Sequence, residues 1–238
     1  MDLNSNWHHS PLRDLVSFLS KGITPSYAER ESETTIRVLN QKCNRNFEIN
    51  YADSRLHDTA KKRVSPERYV MPEDIIINST GTGTAGRIAQ ILEVPCPTTV
   101  DGHMIILRSN QKVTQKYLGY ALKAHQWEIL QLDEGSTGQT ELNRERLLDE
   151  IIISYPDSEE EQNKIVCILE NLDEKLRLNQ RINDNLQQQV TALYQMWFED
   201  FLPYGGARPA AWKNAPLSSI ASLASGKRPT VISSVKTS

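Results

Sequence analysis

Cysteine is scarce in this sequence, and the positions of the few thiols exclude two kinds of stabilisation. Cys43, Cys96 and Cys167 are the 3 cysteines among 238 residues, and no C-x-x-C pair occurs. An odd number of widely separated thiols supplies neither a disulfide framework nor a zinc site, and it is typical of a reducing compartment. We therefore expect a cytoplasmic protein.

Long apolar segments are missing as well. The apolar runs are short, as at 75–77 and 151–153, and the opening residues MDLNSNWHH show no basic-then-apolar pattern of a signal peptide. A membrane-spanning helix needs about 20 apolar residues. We therefore expect no membrane segment.

Signatures of catalysis are also lacking. The sequence contains no G-x-S-x-G, no G-x-x-x-x-G-K-[ST] and no H-E-x-x-H, and none of its 5 histidines has metal-ligand spacing. Asp157, Asp173 and Lys175 imitate the acids and lysine of some metal-dependent nucleases. The two acids would lie roughly 24 Å apart along one helix, however, and could not share an ion. The chain is therefore predicted to be non-catalytic.

Charge divides the sequence into three parts. Residues 1–156 carry 18 Lys/Arg and 20 Asp/Glu, residues 157–202 carry 4 and 10, and residues 203–238 carry 5 and none. The net charge of −3 excludes a uniformly basic nucleic-acid binder but not a locally basic one. We predict a globular domain over 1–156, a long helix over 157–202, a linker over 203–211 and a further segment over 212–238.

The first part mixes helices and strands without a regular βαβ rhythm, which predicts an α+β fold. Apolar spacing predicts helices over 12–21, 114–132 and 143–148, and strands over 36–39, 73–78, 87–92, 100–107 and 150–154. The segment 40–68 is polar and is predicted to be a loop.

The second part carries a 3.5-residue apolar repeat, which is the pattern of a coiled-coil seam. Eight of its ten positions are apolar, and the ten are Ile165, Leu169, Leu172, Leu176, Asn179, Asn183, Leu186, Val190, Leu193 and Trp197. One long helix cannot bury such a stripe by itself, so it needs a partner helix. The two asparagines would fix the register by facing other amides, or would face solvent at a local distortion.

The third part begins an internal repeat. The pattern W-x-x-x-P-L at 7–12 recurs at 212–217, at an offset of 205 residues. The segment 212–238 therefore reads as the opening of a second copy of the first domain. Residues 230–238 show no core pattern and are expected to be disordered.

Two polar glycine loops are candidate binding elements. Residues 81–86 match G-x-G-x-x-G after a predicted strand, but Pro95 and Pro97 leave too little room for the helix that a dinucleotide site requires. We interpret the segment as a flexible polar loop whose hydroxyls and Arg87 could contact DNA phosphates or base edges. A loop of similar composition covers 135–140. Either loop could instead be a solvated turn.

One basic concentration lies inside the first part. Residues 37–68 carry 8 Lys/Arg against 4 Asp/Glu, and the basic residues are Arg37, Lys42, Arg45, Arg55, Lys61, Lys62, Arg63 and Arg68. A charge run is usually a solvated face, and contact with phosphates is the functional alternative. This cluster alone leaves both open.

The order of motifs along the chain is more specific than any single one. MPEDIII (71–77) leads into the first glycine loop, and the second loop leads into LLDEIIISYP (147–156). EQNKIVCILENLD (161–173) then opens the long helix, which closes with LYQMWF (193–198). Over nearly the whole chain this order resembles the DNA-specificity subunit of type I restriction-modification systems.

The resemblance implies a fold and a set of partners. Such subunits carry two target-recognition domains, each followed by a conserved helix, and the two helices pack antiparallel as a spacer. Each domain reads one half of a split site in double-stranded DNA. Methyltransferase subunits methylate adenine with S-adenosylmethionine, and a motor-nuclease subunit cleaves with ATP and Mg. The specificity subunit itself is no enzyme and binds none of these cofactors.

The sequence departs from that pattern because it contains one recognition domain, one helix and only the opening of a second domain. Since the seam still needs a partner, we predict that the helix pairs with its copy in a second chain. Two identical domains related by a dyad should read an interrupted palindrome.

We expect the side chains that face DNA to come from the basic segment and the two glycine loops: Arg45, Lys61, Lys62, Arg63, Ser79, Thr80, Thr82, Thr84, Arg87, Ser136, Thr137 and Gln139. The acidic helix is a poor DNA surface and is assigned to protein partners. Two alternatives stay open at this point. One is a coiled-coil adaptor without DNA recognition, and the other is an enzyme that binds a nucleotide in the first glycine loop.

Overall fold

The computed structural model of the chain describes residues 6–134 and 140–226. The described residues divide into two compact units, one extending to Glu174 and the other starting at Lys175. The first unit is α+β and leads into one long helix, so the predicted fold class is confirmed. The predicted boundary at 156/157 stays a prediction.

Helices and strands alternate irregularly along the described residues. The helices are α1 (Gln115–Ala124), α2 (Gln126–Ile129), α3 (Arg144–Glu150) and α4 (Glu159–Tyr194). The strands are β1 (Trp7–Pro11), β2 (Val16–Lys21), β3 (Tyr27–Ala28), β4 (Thr35–Leu39), β5 (Asn44–Arg45), β6 (Glu48–Ile49), β7 (Arg55–Asp58), β8 (Ile75–Asn78), β9 (Ile88–Gln90), β10 (Thr98–Val100), β11 (Met104–Ser109), β12 (Asp133–Glu134), β13 (Glu141–Leu142) and β14 (Ile152–Pro156).

An antiparallel sheet of order β2-β11-β8-β9 forms the centre of the first unit. Successive side chains of a strand point to opposite faces. Ile75 and Ile77 therefore pack in one core with Leu118 of α1, while Ile76 packs in a second core with Leu39. The uninterrupted apolar run of β8 is explained by this burial on both faces.

A second sheet, of order β10-β4-β7-β3, is joined to the central one by the short β10–β11 turn. Its β10–β4 pair is parallel and its other pairs are antiparallel. A separate two-stranded sheet pairs β1 with β14, so that Trp7 lies opposite Pro156. The start of the domain is thereby fixed to the strand that precedes α4.

Four predicted elements of the first unit are wrong. The predicted helix over 114–132 is two helices, α1 and α2, separated by a turn at His125. The predicted helix over 12–21 is a 3-10 turn, Leu12–Leu15, followed by strand β2. The pairing of β2 with β11 outweighs the helical spacing of Leu12, Leu15 and Leu19. The predicted loop over 40–68 contains β5, β6 and β7. The predicted strand over 100–107 is two strands, because the Asp101 carboxylate accepts the His103 N–H and turns the chain.

Gln162, in the segment EQNKIVCILENLD that opens α4, attaches the helix to the domain. The Gln162 side chain is buried; its Oε1 accepts the Thr114 N–H at 2.7 Å, and its Nε2 donates to Pro156 O at 3.0 Å and Lys112 O at 3.3 Å. The Gln162 side-chain amide therefore links the N-cap residue of α1 to the end of β14.

Further along α4, Asp173 at the end of the same segment makes a second attachment. The Asp173 carboxylate accepts the Tyr120 hydroxyl at 3.0 Å and the Lys123 ammonium at 2.9 Å. Lys116 adds an ion pair with Glu170 at 2.8 Å. The motif that carried the resemblance therefore has a structural explanation in the first unit.

Gln162→Leu is expected to lower the free energy of unfolding by about 2–3 kcal/mol. The substitution keeps the apolar stem but leaves the Thr114 N–H and the Pro156 carbonyl without partners in a buried site. Urea denaturation measures the loss. Asn163→Leu, at the exposed neighbouring position, is the control and should change the stability by less than about 0.5 kcal/mol. Equal effects of the two substitutions would contradict this role.

The predicted seam positions differ in their surroundings. Ile165 packs against the core of the first unit. In contrast, Leu172, Leu176, Leu186, Val190 and Leu193 are exposed, as are Asn179 and Asn183. The α-helix ends at Tyr194, earlier than the predicted 202, and a five-residue π-helical turn (Gln195–Glu199) follows it.

The internal repeat is visible in the backbone. Pro11 and Pro216 each precede a 3-10 turn with nearly equal torsions, φ −60° and ψ 147° against φ −66° and ψ 146°. Leu12 is fully buried, whereas its counterpart Leu217 is 60% exposed. The prediction of disorder over 230–238 lies outside the described residues.

No helix among the described residues is long and apolar enough to cross a membrane.

Candidate nucleic-acid interface

The first glycine loop is the connection of a β-hairpin. β8 and β9 pair antiparallel, and the Asn78 N–H donates to Arg87 O at 2.9 Å while the Gly86 N–H donates to Asn78 O at 2.8 Å. The Thr84 and Ala85 N–H groups both donate to Gly81 O. A strand follows the third glycine instead of a helix, so the loop lacks the helix N-terminus on which dinucleotide binding depends. The nucleotide-enzyme alternative loses its only motif.

Gly81 lets the loop close on itself. Its φ is +121°, and a Cβ at this position would lie 2.3 Å from Thr84 Oγ1 and 2.6 Å from Gln41 Oε1. Gly83 has φ +68°, but open space surrounds its missing side chain. The two glycines therefore share a left-handed conformation and differ in packing.

Gly81→Ala is expected to lower the free energy of unfolding by about 2–3 kcal/mol, because strain of the backbone and a steric clash add. Gly83→Ala, the matched control, should cost about 1 kcal/mol through the backbone alone. Thermal and urea unfolding of both variants measure the difference. A loop that tolerates both substitutions equally would contradict the close approach at Gly81.

The second glycine loop ends beside the first. Thr80 forms an antiparallel bridge with Glu141, the Gly81 N–H donates to Thr140 O at 3.1 Å, and the Leu142 N–H donates to Ser79 O at 2.8 Å. β12 and β13 pair at the base of this second loop. The structure thus brings the stems of both loops to one edge of the domain. The predicted contacts Ser136, Thr137 and Gln139 lie outside the described residues.

A buried polar layer supports the first loop from below. Asn44 Nδ2 donates to Arg87 O at 3.0 Å and to Asn78 Oδ1 at 3.2 Å, and Asn78 Nδ2 donates to Gln41 O at 3.2 Å. Ser79 is fully buried as well, and its N–H donates to His103 O. In this structure Ser79 therefore belongs to the support of the loop and not to its exposed side.

Several predicted contacts do reach the surface of the loop. Thr82 is exposed, and Thr80 and Arg87 are half-buried. Thr84 is also half-buried as a residue, but its Oγ1 is buried and has no hydrogen-bond partner among the described residues, so this hydroxyl does not reach the surface. Arg87 Nη2 donates to Gly83 O at 3.3 Å, which leaves its other guanidinium donors for a ligand. The loop thus presents hydroxyls and one guanidinium, which are groups able to bind phosphates and base edges.

The predicted basic cluster is divided by the sheet. Arg45 is exposed at the end of β5, directly after Asn44, and therefore lies near the first glycine loop. Lys61, Lys62 and Arg63 follow β7 instead, at the end where Asp58 lies opposite Thr35. That end lies roughly 10 Å along the four-residue β4–β7 ladder from the opposite end, where β4 leads into the segment that contains Asn44 and Arg45.

The basic turn after β7 is partly held by the domain. Lys62 Nζ donates to Thr24 O at 2.8 Å, and Lys61 lies 3.9 Å from the Asp58 carboxylate. Buried His57 anchors the turn, since its Nδ1 accepts the Ser26 N–H and its Nε2 donates to Lys62 O at 2.7 Å. Among the described residues, the guanidinium groups of Arg45 and Arg63 have no ion-pair or hydrogen-bond partner.

Sequence reasoning missed two groups that belong to the same edge. His103 lies on the β10–β11 turn, and its Nδ1 is 2.7 Å from Thr80 Oγ1. Burial raises the pKa of Asp101, which holds this turn by accepting the His103 N–H. Lys21 at the end of β2 forms an ion pair with Glu141. These contacts join segments far apart in sequence, so no local pattern could have found them.

An exposed tryptophan also adjoins the first loop. Trp127 is 75% exposed on α2, and the preceding Gln126 ties that helix to the hairpin. Gln126 Nε2 donates to Gly86 O at 2.6 Å, and its Oε1 accepts the Ile88 N–H at 2.8 Å. A large aromatic side chain is thereby held beside the polar loop. Its place beside the first loop was not predictable, because it depends on the contacts of Gln126 with Gly86 and Ile88, which are distant in sequence.

Comparison with protein families gives a match over most of the chain. A family model described as the type I restriction modification DNA specificity domain matches residues 4–188. Among curated proteins, the chain is similar to the specificity subunit of the type I restriction enzyme HindI of Haemophilus influenzae. The two are 45% identical over 51 residues, which cover 21% of this chain and 11% of that subunit.

Solved structures show the same fold. The S subunit of a type I restriction-modification system from M. genitalium matches with a TM-score of 0.55 and 19% identity, over 86% of this chain and 50% of that one. A chain from a study of complex assembly in the type I system matches with a TM-score of 0.57 and 16% identity, over 82% and 45%. The HsdS subunit of Thermoanaerobacter tengcongensis matches with a TM-score of 0.50 and 16% identity, over 83% and 46%. This chain spans about half the length of the solved chains.

Proposed function

Because the chain belongs to the type I restriction-modification DNA specificity family, we propose that it is the DNA-reading, non-catalytic subunit of such a system. In this proposal the globular domain reads one half of a split site in double-stranded DNA. Methyltransferase subunits bring S-adenosylmethionine, a motor-nuclease subunit brings ATP and Mg, and this chain binds none of these cofactors. The complex works in the cytoplasm.

The observation that carries the proposal is the meeting of the stems of the two glycine loops at one edge of the domain. Thr80, Gly81 and Glu141 join the loop stems, and the exposed residue Thr82 lies on the first loop. Loops on a rigid scaffold are the usual place of binding residues. Hydroxyls, amide groups and guanidinium groups are also the side chains that contact phosphates and base edges.

The proposed DNA face combines this edge with the basic segment. It consists of Arg45, Lys61, Lys62, Arg63, Thr80, Thr82, Arg87, Ser136, Thr137 and Gln139, with Ser79 and the buried hydroxyl of Thr84 as support of the first loop. Trp127, held beside the loop by Gln126, adds an exposed aromatic surface.

Arg45→Ala and Arg63→Ala test the electrostatic part of the interface. Each substitution removes one free guanidinium, and we expect each to lower DNA affinity and to reduce the slope of log K against log salt by about 0.9, with unchanged sequence preference. Lys112→Ala, on the loop that precedes α1, is the control and should leave the slope unchanged. Titration of fluorescent duplexes at several salt concentrations gives the slopes. Unchanged slopes for both arginine variants would remove the basic segment from the interface.

The part of α4 in the second unit supplies the proposed means of assembly. Its seam from Leu176 to Leu193 is exposed, and burial of such a stripe against a second helix is favourable. We infer that two chains pair through α4 and present two identical domains to an interrupted palindrome. If the chain pairs but shows no sequence-specific binding, the coiled-coil adaptor is the better description.

A further inference from the structure

His103 lies at the edge where the stems of the two glycine loops meet. It is on the turn between β10 and β11, the residue is exposed, and its Nδ1 is 2.7 Å from Thr80 Oγ1. Among the described residues, no hydrogen bond or ion pair reaches its other ring nitrogen, Nε2. One ring nitrogen is therefore held by the first loop, and the other is available to a ligand.

The backbone of His103 is fixed on both sides of the ring. Its N–H donates to the Asp101 carboxylate at 2.9 Å, and its carbonyl accepts the Ser79 N–H at 2.8 Å. Asp101 and Ser79 are themselves buried. A side chain that is already held in place loses little conformational freedom when it binds a ligand. The turn thus presents Nε2 in a preorganised position.

The contact with the Thr80 hydroxyl suits both protonation states of the ring, because a hydroxyl can donate and accept. When the ring is neutral, the hydroxyl is able to donate to Nδ1, which places the ring proton on Nε2. When the ring is charged, Nδ1 donates to the hydroxyl and Nε2 is a donor as well. The group at the surface is therefore a donor in both states, and only its charge changes.

We propose that His103 contacts a phosphate of the DNA backbone through Nε2, and that protonation of its ring strengthens this contact. The inference rests on the proposed DNA-reading function and adds a residue to its DNA face. His103 lies at the stem of the first loop, whereas Thr82 and Gly83 lie in the part of the hairpin connection farthest from β8 and β9. If that part enters a groove, a side chain at the stem meets the phosphates that border the groove.

The charged groups of the surrounding elements are Asp101 on the same turn, Lys21 in β2, Glu141 in β13, Arg55 in β7, Arg68 beside Gly22 and Arg87 before β9. Lysine and arginine keep their charge in the range in which histidine titrates. Glu141 is paired with Lys21. Burial raises the pKa of Asp101, against the hydrogen bond from the His103 N–H and the charge of Arg55. Asp101 is therefore the second group whose protonation the experiment has to control.

The pH dependence of DNA binding by the full chain tests the inference. The probe is a fluorescent duplex enriched from a random pool, titrated from about pH 8 down to about pH 5.5. We expect the affinity of the unchanged chain to rise roughly five- to tenfold, since a charged hydrogen bond is stronger than a neutral one. The slope of log K against log salt should become steeper by about 0.9 per chain, because one more phosphate is neutralised by a cation.

Two substitutions separate the two ring nitrogens. The amide of His103→Asn reaches the place of Nδ1 but leaves nothing at the place of Nε2, whereas the amide of His103→Gln reaches the place of Nε2 and never carries a charge. Both variants should lose the pH dependence of the affinity and of the salt slope. At about pH 8, His103→Gln should bind more tightly than His103→Asn. Thermal unfolding verifies that both variants fold.

Two control variants should keep the pH dependence. His9→Gln is the matched control, because His9 is also exposed and its Nδ1 lies 2.8 Å from Ser154 Oγ in the separate β1–β14 sheet. Asp101→Asn retains an oxygen that accepts the His103 N–H but removes the carboxylate that titrates.

The outcomes separate the contact from the proposed function. A chain that binds no duplex would overturn both. A chain that binds the selected duplex, with the same pH dependence in the unchanged chain and both His103 variants, would overturn the contact and leave the function standing. Loss of the pH dependence in Asp101→Asn alone would assign the proton to that carboxylate and overturn the inference. A pH-dependent affinity with a constant salt slope and an altered base preference would overturn the phosphate contact.

Discussion

Replacement of both Leu176 and Leu186 by lysine is expected to dissociate the dimer, with at least a 100-fold increase of its dissociation constant. Burial of one leucine contributes about 1.5–3 kcal/mol, and the two positions place four leucines in each helix pair. The lysines would also bring like charges together across the seam. Both leucines are exposed in the single chain, so the fold of the domain should not change.

Analytical ultracentrifugation measures the dissociation constant, and circular dichroism verifies the fold. The control carries lysine at Gln188 and Ala192, which lie on the same helix outside the seam and give the same change of charge. We expect the control to remain dimeric. Dissociation of the control, or a dimer that survives the substitution of both leucines, would contradict assembly through the seam.

Asp74→Ala is expected to lower the free energy of unfolding by about 3–5 kcal/mol, because it would leave a largely buried guanidinium without its counter-charge. The Arg108 guanidinium binds the Asp74 carboxylate with two hydrogen bonds, of 2.7 and 2.8 Å. It also donates to Glu67 O and Tyr69 O and lies over the Phe18 ring at 4.8 Å. One arginine therefore connects β11 with the segment before β8 and with β2.

Urea denaturation of Asp74→Ala measures this contribution. Glu31→Ala is the matched control, because it removes the partner of Arg37 in an exposed ion pair and should cost less than about 1 kcal/mol. Arg108→Met tests the other side of the pair and should also be destabilising. A loss below 1 kcal/mol for Asp74→Ala would show that water replaces the carboxylate.

The parts of the fold that could be predicted are those in which a local pattern and the burial agree. The apolar run 75–77 predicts a buried strand, and β8 has its isoleucines in two cores. The uninterrupted stretch after Glu159 predicts a long helix, and α4 extends to Tyr194. The predicted loop at 79–86 lies in the hairpin connection between β8 and β9.

The parts that could not be predicted depend on partners distant in sequence. The leucines at 12–19 show helical spacing, but pairing of β2 with β11 makes part of the segment a strand. The role of Gln162 depends on contacts with Thr114 and Pro156 that no motif reveals. Likewise, nothing in the sequence places Thr80 beside Glu141 or His103.

Selection of bound duplexes from a random pool tests the central claim most directly. The chain, alone and with methyltransferase subunits, is incubated with the pool, and the enriched duplexes are sequenced. We predict two copies of one short sequence in inverted orientation, separated by a spacer of constant length. No enrichment, or enrichment of a single uninterrupted site, would contradict a dimer in which each chain reads one half of a split site.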